Sequence, residues 1–170
     1  ESSGELSRDV FLNATEPLNV YQFARGNKDL FVGTKYTEVS RFEDADFIYI
    51  GTPKVYKDGE WHNVYTLEPF EKELKAFYAK DKVLICTNPD LGAFSGEGTA
   101  LAVRNGAIAK YYEELGGEVE YIGKPYPEVY DFALKDEDVD DSRTLMIGDT
   151  LETDILGANS YGIRTALLNR

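Results

Sequence analysis

The second half of the chain alternates short apolar strands with amphipathic helices, and this order constrains the fold more than any other feature. Strand patterns run over 119–122, 144–147 and 165–168, and helix patterns run over 127–134 and 153–161. Short, glycine-containing turns between such elements are typical of a parallel sheet that is covered by helices. The sequence therefore predicts an α/β fold with β-α-β-α-β order from residue 119 onward.

The first half of the chain contains further strand and helix patterns. Phe70, Leu74 and Phe77 are spaced as one face of a helix, and Pro69 stands at the start, where a helix tolerates proline best. Asp58-Gly59 separates two strand-like segments, which is a signal for a two-residue hairpin turn. The remaining predictions here are strands over 19–24, 46–50 and 83–86, a short helix at the start, and a long helix over 97–115.

Charge and cysteine content exclude several classes of protein. The 170 residues include 18 Lys and Arg against 31 Asp and Glu, so the formal net charge is −13. A general nucleic-acid or anionic-membrane binder needs a basic surface, which this balance disfavours. The lone Cys86 excludes a disulfide framework, and we expect it to be a small buried apolar residue. We expect a cytoplasmic chain that has no nucleic-acid or membrane partner.

Charged side chains directly follow glycine at two predicted strand ends. Lys124 follows Gly123, and Asp149 follows Gly148 with Asp154 five residues later. Ligands of open parallel sheets bind beyond the carboxyl ends of strands, where two carboxylates can hold Mg²⁺ and a lysine can attract a phosphate. Taken singly, Asp154 also suits a helix start and Lys124 a solvated surface. Together they predict a phosphate and metal site at two neighbouring strand ends.

The residues around these charges carry a family resemblance. The stretch Gly123-Lys124-Pro125-Tyr126-Pro127 resembles motif III of the haloacid dehalogenase (HAD) superfamily, and the stretch 146–158 resembles its motif IV. The resemblance is narrowed to class IIA, the NagD-like phosphatases, by two further stretches, Thr87-Asn88-Pro89-Asp90 and Gly106-Ala107. The resemblance implies half of a HAD-like core, with a Rossmann-like parallel sheet, and an α/β class IIA cap domain.

The resemblance also implies a role for each matching residue in the predicted core. Asp149 resembles the carboxylate that binds Mg²⁺. Lys124 resembles the lysine that neutralises the nucleophile and the transferring phosphoryl group. Asp154 resembles the second acidic residue, which acts either on the metal through water or on Lys124. Thr150 and Thr153 belong to the turn that closes around the phosphate of the substrate.

The same resemblance divides the chain into three parts. Residues 1–18 are expected to be a remnant helix of the core domain, residues 19–120 the α/β cap, and residues 121–170 the C-terminal half of the HAD-like core. Asn88 and Asp90 lie in the cap next to the site, so a substrate contact is one interpretation. The other is an Asn-Pro-Asp turn that ends a strand.

One departure from the family pattern concerns the nucleophile. HAD phosphatases attack phosphorus with the first aspartate of a strand-Asp-x-Asp motif. Asp44-Ala45-Asp46 has this spacing but precedes its strand, and the Ser or Thr of motif II has no counterpart. The chain is therefore expected to begin after motifs I and II and to be inactive alone.

Two interpretations of the function stay open. One is a Mg²⁺-dependent phosphatase of class IIA type that acts on a small phosphorylated metabolite and forms a homodimer through its cap. The other is a non-catalytic fragment or degenerate homologue that binds a ligand or a partner. A receiver-type domain is disfavoured because the acidic pair follows the lysine strand.

Overall fold

The computed structural model describes residues 3–94, 100–135 and 141–168. The chain packs as two compact units, one formed by Arg8–Tyr121 and the other by Ile122–Arg170 together with Glu1–Ser7. The helices are α1 (Ser3–Leu12), α2 (Glu68–Tyr78), α3 (Asn105–Glu114), α4 (Glu128–Leu134) and α5 (Leu156–Tyr161). The strands are β1 (Asn19–Phe23), β2 (Thr37–Glu38), β3 (Phe47–Ile50), β4 (Lys54–Lys57), β5 (Glu60–Asn63), β6 (Val83–Cys86), β7 (Gly92–Phe94), β8 (Leu101–Val103), β9 (Val119–Tyr121), β10 (Leu145–Gly148) and β11 (Arg164–Leu167).

A five-stranded parallel sheet forms the centre of the larger unit. Its strand order is β2-β1-β3-β6-β9, and every neighbouring pair is parallel. Parallel strands need crossover connections, and helices α2 and α3 lie in two of them. The predicted α/β class is confirmed, as are the strand patterns at 19–24, 46–50 and 83–86.

Apolar side chains from this sheet and from α2 and α3 form one core. Leu74 and Phe77 of α2 are buried against it, as are Ile108 and Tyr112 of α3. This explains the predicted stripe on α2, whose buried residues recur at helical spacing. Cys86 is also fully buried, and burial raises the pKa of its thiol to about 12, so the predicted apolar role is confirmed.

The larger unit also contains two antiparallel strand pairs. In the first, β4 pairs antiparallel with β5, and Tyr56 faces Trp61 across the turn. Asp58 and Gly59 both have positive φ angles, 53° and 86°, as this two-residue turn requires. The second hairpin joins β7 to β8 and was not predicted.

The long helix predicted over 97–115 is wrong at its N-terminal side. Residue 97 lies outside the described residues, and Leu101–Val103 is a strand. Leu101 pairs with Phe94, and the Val103 amide donates to the Val64 carbonyl at 2.8 Å. This tertiary pairing overrides the helical spacing of the apolar residues, so the helix begins only at Asn105.

The smaller unit contains a parallel pair, β10 with β11, and helices α4 and α5. Leu6, Val129, Tyr130, Ala158 and Ile163 form its buried cluster. The sequence predicted one sheet running from residue 119 through 168. That prediction is wrong, because β9 pairs with β6 in the larger unit. β6 lies between β3 and β9 rather than beside β10, and the assignment of residues 19–120 as a cap stays a proposal.

No helix in the described residues is both long enough and apolar enough to span a membrane.

Asn105 offers a test of the larger unit, because its buried side chain joins the start of α3 to the end of β3. Its amide nitrogen donates to the carbonyls of Ile50, at 2.7 Å, and Gly51, at 2.9 Å. Asn105→Ala leaves both carbonyls without this donor, so the free energy of unfolding should fall by about 1–3 kcal/mol. Urea denaturation measures the change.

Asn13→Ala is the matched control, since the Asn13 amide also donates to a carbonyl but at an exposed site. Its effect should stay within about 0.5 kcal/mol. Equal losses in the two variants would contradict a structural role for the buried amide.

Candidate active site

The site begins where β10 ends, at Gly148. Asp149 and Thr150 follow directly, and residues Leu151–Ile155 form a π-helical turn that leads into α5. The single helix predicted over 153–161 therefore starts with a wider turn, a feature that is frequent at functional sites. Within this turn Asp154 is only 4% exposed.

Each oxygen of the Asp154 carboxylate has a protein partner. Oδ1 accepts a hydrogen bond from Nζ of Lys124 and forms an ion pair with it. Oδ2 lies 3.1 Å from the amide nitrogen of Asp149 and 3.2 Å from that of Thr150. A buried carboxylate is stable only when it is paired and hydrogen-bonded, and these contacts meet that requirement.

Gly148 is required by the position of Asp154. A Cβ built on Gly148 would overlap Cβ, Cγ and Oδ2 of Asp154. A side chain at this position would therefore displace the carboxylate from the amides of Asp149 and Thr150. The glycine that ends β10 thus allows the acidic turn to pack directly against the strand.

Lys124 reaches Asp154 from a loop. The loop contains a cis Lys124-Pro125 peptide, and the Tyr126 amide donates to the Gly123 carbonyl at 3.0 Å. The sequence predicted two neighbouring strand ends for Lys124 and Asp149. That placement is wrong for Lys124, because the preceding strand β9 belongs to the other sheet. The Lys124 side chain is 36% exposed, so its charge remains accessible to a ligand.

Tyr130 packs near the backbone segments that carry this ion pair, and it was not identified from the sequence. A Cβ built on Gly157 would lie 2.5 Å from the Tyr130 hydroxyl oxygen and 2.7 Å from Cα of Pro125. Burial, and to a smaller extent the negative charge of Asp154, raise the pKa of Tyr130. An apolar spacing pattern cannot distinguish such a tyrosine from any other residue on the buried face of α4.

Of the two carboxylates of this site in the described residues, Asp149 is the one whose surroundings fit Mg²⁺. Both oxygens of Asp154 already contact protein groups, whereas Asp149 is exposed, with the Thr150 hydroxyl 3.4 Å from its Oδ1. Within the described ranges, His, Cys, Asp and Glu form no group of three that could hold a metal. Mg²⁺ is commonly bound by one or two carboxylates together with water and substrate phosphate, so one carboxylate is a compatible contribution.

The other predicted site residues are placed differently. Thr153 lies in the π-helical turn and is buried, so it offers little surface to a ligand. Asn88 and Asp90 belong to the larger unit, where the Asp90 amide donates to Oδ1 of Asn88 at 3.1 Å. This is the turn geometry expected of an Asn-Pro-Asp segment. Gly106 packs against the Pro89 carbonyl and has no room for a Cβ.

Comparison with known proteins identifies related sequences and structures. A family model described as HAD-hydrolase-like matches residues 121–170. The ribonucleotide monophosphatase NagD of Escherichia coli strain K12 is 28% identical over 126 residues, which are 74% of this chain and 44% of NagD. A HAD-like hydrolase from Brucella suis 1330 superposes with a TM-score of 0.80 at 27% identity, over 99% of this chain and 63% of that one.

Solved structures of a metal-bound phosphatase share the fold. The glycerol phosphate phosphatase Rv1692 of Mycobacterium tuberculosis in complex with magnesium gives a TM-score of 0.66 at 22% identity, over 97% of this chain and 47% of that one. The same enzyme is known in complex with calcium. The chain spans less than half the length of NagD and of this phosphatase.

Gly148→Ala tests whether close packing holds Asp154. The new methyl group should push the carboxylate away from the two amides, lowering the free energy of unfolding by about 1–3 kcal/mol. Amide hydrogen exchange at Asp149 and Thr150 should become faster than at other residues of the unit.

Gly162→Ala is the control for a generic glycine effect. Gly162 has a φ of +101° and no atom within 4 Å of the position of a Cβ, so its replacement adds backbone strain away from Asp154. Unchanged exchange at Asp149 and Thr150 in Gly148→Ala would show that the packing argument is wrong.

Proposed function

We propose that this chain, a HAD-like hydrolase segment of the class IIA, NagD-like type, supplies the charge-stabilising part of a Mg²⁺-dependent phosphatase. The substrate is a small phosphorylated metabolite, and the enzyme works in the cytoplasm. In this proposal residues 19–120 are the cap, and residues 121–170 contribute the C-terminal half of the core. Residues 1–18 contribute a core helix.

The observation that supports the proposal best is the Lys124–Asp154 ion pair beside exposed Asp149. Lysine is a compact positive charge that suits a phosphate, and pairing with a buried carboxylate fixes its position before substrate arrives. Asp154 thus acts on Lys124, which is one of the two roles that the family resemblance left open. The Lys124 charge stabilises the negative charge of the phosphoryl group as it is transferred.

Asp149 is the residue through which this chain would hold Mg²⁺. A bound Mg²⁺ supplies positive charge to the phosphoryl oxygens and orients them. Asp149 directly follows the last residue of β10, and Thr150 lies beside it with its hydroxyl near the carboxylate. In the proposal Thr150 also contacts the phosphate, and Thr153 supports the turn from its buried position.

The nucleophile of the reaction has no candidate in this site. Asp154 is buried with both oxygens engaged, and Asp149 is assigned to the metal, so neither carboxylate is available to attack phosphorus. Lys124 stabilises the negative charge during such an attack and is not itself the nucleophile. The proposal therefore requires an aspartate from outside these 170 residues, and the chain alone is inactive.

The larger unit is proposed to set substrate choice and to form a homodimer. Asn88 and Asp90 are the proposed substrate contacts. For the dimer, the hairpin of β4 and β5 exposes an aromatic pair, with the rings of Tyr56 and Trp61 5.3 Å apart. Arg25 lies 6.0 Å from the Trp61 ring, and exposed aromatic and arginine side chains are enriched at interfaces.

A paired phosphatase assay tests the proposal. The 170-residue chain should hydrolyse no p-nitrophenyl phosphate in Mg²⁺, because its sequence contains no strand-Asp-x-Asp motif to supply the nucleophile. A longer protein that joins this chain to a segment with the strand-Asp-x-Asp motif should hydrolyse it, and activity should depend on Mg²⁺.

Asp149→Asn in the longer protein tests the metal assignment. It should abolish Mg²⁺-dependent turnover while the circular dichroism spectrum stays unchanged. Turnover by the 170-residue chain would refute the argument about the nucleophile. If the longer protein is inactive toward a broad panel of phosphate esters, the non-catalytic binding interpretation is favoured instead.

A further inference from the structure

The Tyr130 hydroxyl is a buried polar atom with no hydrogen-bond partner in the part of the chain that the structure describes. Tyr130 itself is 6% exposed and lies on the inner face of α4. Leaving a hydroxyl buried and unpaired costs free energy, and phenylalanine would keep the packing of the ring without that cost. The hydroxyl at this position therefore needs an explanation other than stability.

The hydroxyl lies close to two backbone segments, since it and Pro125 both approach the position of a Cβ on Gly157. A Cβ on Gly157 would lie 2.5 Å from the hydroxyl oxygen, 2.7 Å from Cα of Pro125 and 2.9 Å from the Pro125 carbonyl oxygen. Pro125 directly follows Lys124, and Gly157 lies three residues after Asp154. The same small volume thus contains the hydroxyl and the backbones that carry the two members of the ion pair.

We infer that Tyr130 is a positioning residue, whose hydroxyl acts as a spacer between Pro125 and Gly157 and so sets the approach of Lys124 to Asp154. It acts through these two backbones and touches no substrate. Packed interiors transmit small displacements, because neighbouring groups have no free volume in which to absorb them. The raised pKa of Tyr130 keeps the phenol neutral, so it adds no charge near Asp154.

An effect of Tyr130 on catalysis rests on the proposed phosphatase function. Its effect on the approach of Lys124 to Asp154 does not depend on that function. If Tyr130 sets the approach of the two segments, its hydroxyl controls how well the Asp154 carboxylate holds the amides of Asp149 and Thr150. Those two amides report on Asp154 without any substrate or metal. Failure of the phosphatase proposal would leave this measurement interpretable.

Hydrogen exchange in Tyr130→Phe tests the inference with the 170-residue chain. Exchange at the Asp149 and Thr150 amides should become about fivefold faster, as the weakening of one hydrogen bond implies. The free energy of unfolding should change little, because removal of a buried hydroxyl that has no partner among the described residues offsets the weakened hydrogen bonds of Asp154. A merely structural role would instead lower the global stability and speed exchange throughout α4 and α5.

Tyr161→Phe is the matched control. The Tyr161 ring packs 5.2 Å from the Tyr130 ring, and its hydroxyl donates to Oδ1 of Asp131 at 2.6 Å. This variant should leave exchange at Asp149 and Thr150 unchanged. Equal acceleration in both variants, or no change in Tyr130→Phe, would overturn the positioning role.

Discussion

The buried carboxylate of Asp154 is the constraint on which the rest of the site depends. A charge that is 4% exposed is tolerated only if it is paired and its oxygens accept hydrogen bonds. Lys124 supplies the pairing charge, and two backbone amides supply the remaining hydrogen bonds. The glycine at the end of β10, the π-helical turn and the loop of Lys124 all serve to bring these groups together.

In the proposed function, this arrangement separates charge stabilisation from nucleophilic attack. Lys124 is part-exposed and held in place, so its charge is available to an anion without first being ordered. Asp149 is exposed beside it, whereas Asp154 is fully occupied by the protein. A site of this kind can attract and polarise a phosphate, and hydrolysis requires a further group in line with the leaving oxygen. The net charge of −13 disfavours a polyanion such as a nucleic acid as the partner.

Local patterns predicted most elements and missed several pairings. The apolar runs at 47–50 and 83–86 identify strands, and Asp58-Gly59 identifies its turn, because each signal is contained in a few adjacent residues. The partner of β9 was predicted wrongly, since a short strand with residue 119 at its start can pair in either sheet without a change in its own pattern. The strand at 101–103 was missed because its hairpin partner, rather than its own spacing, makes it extended.

In the site, too, local motifs were predictable and tertiary contacts were not. The motifs assigned Lys124 and Asp154 to one site and left open whether Asp154 acts on the metal or on Lys124. The structure shows the contact between Lys124 and Asp154. The role of Tyr130 could not be predicted, because it depends on Gly157 and Pro125, which are distant in sequence from each other. Packing of this kind is decided by the tertiary fold, and neither charge nor periodicity signals it.

The central claim, that Asp154 holds Lys124 in place, is tested most directly by a double-mutant cycle. Urea denaturation of the parent chain, Lys124→Met, Asp154→Asn and the double variant gives the interaction free energy of the pair. We expect about 1–3 kcal/mol, below the value for a fully buried pair because Lys124 is 36% exposed. An interaction free energy under about 0.5 kcal/mol, the range of a surface ion pair, would contradict the account.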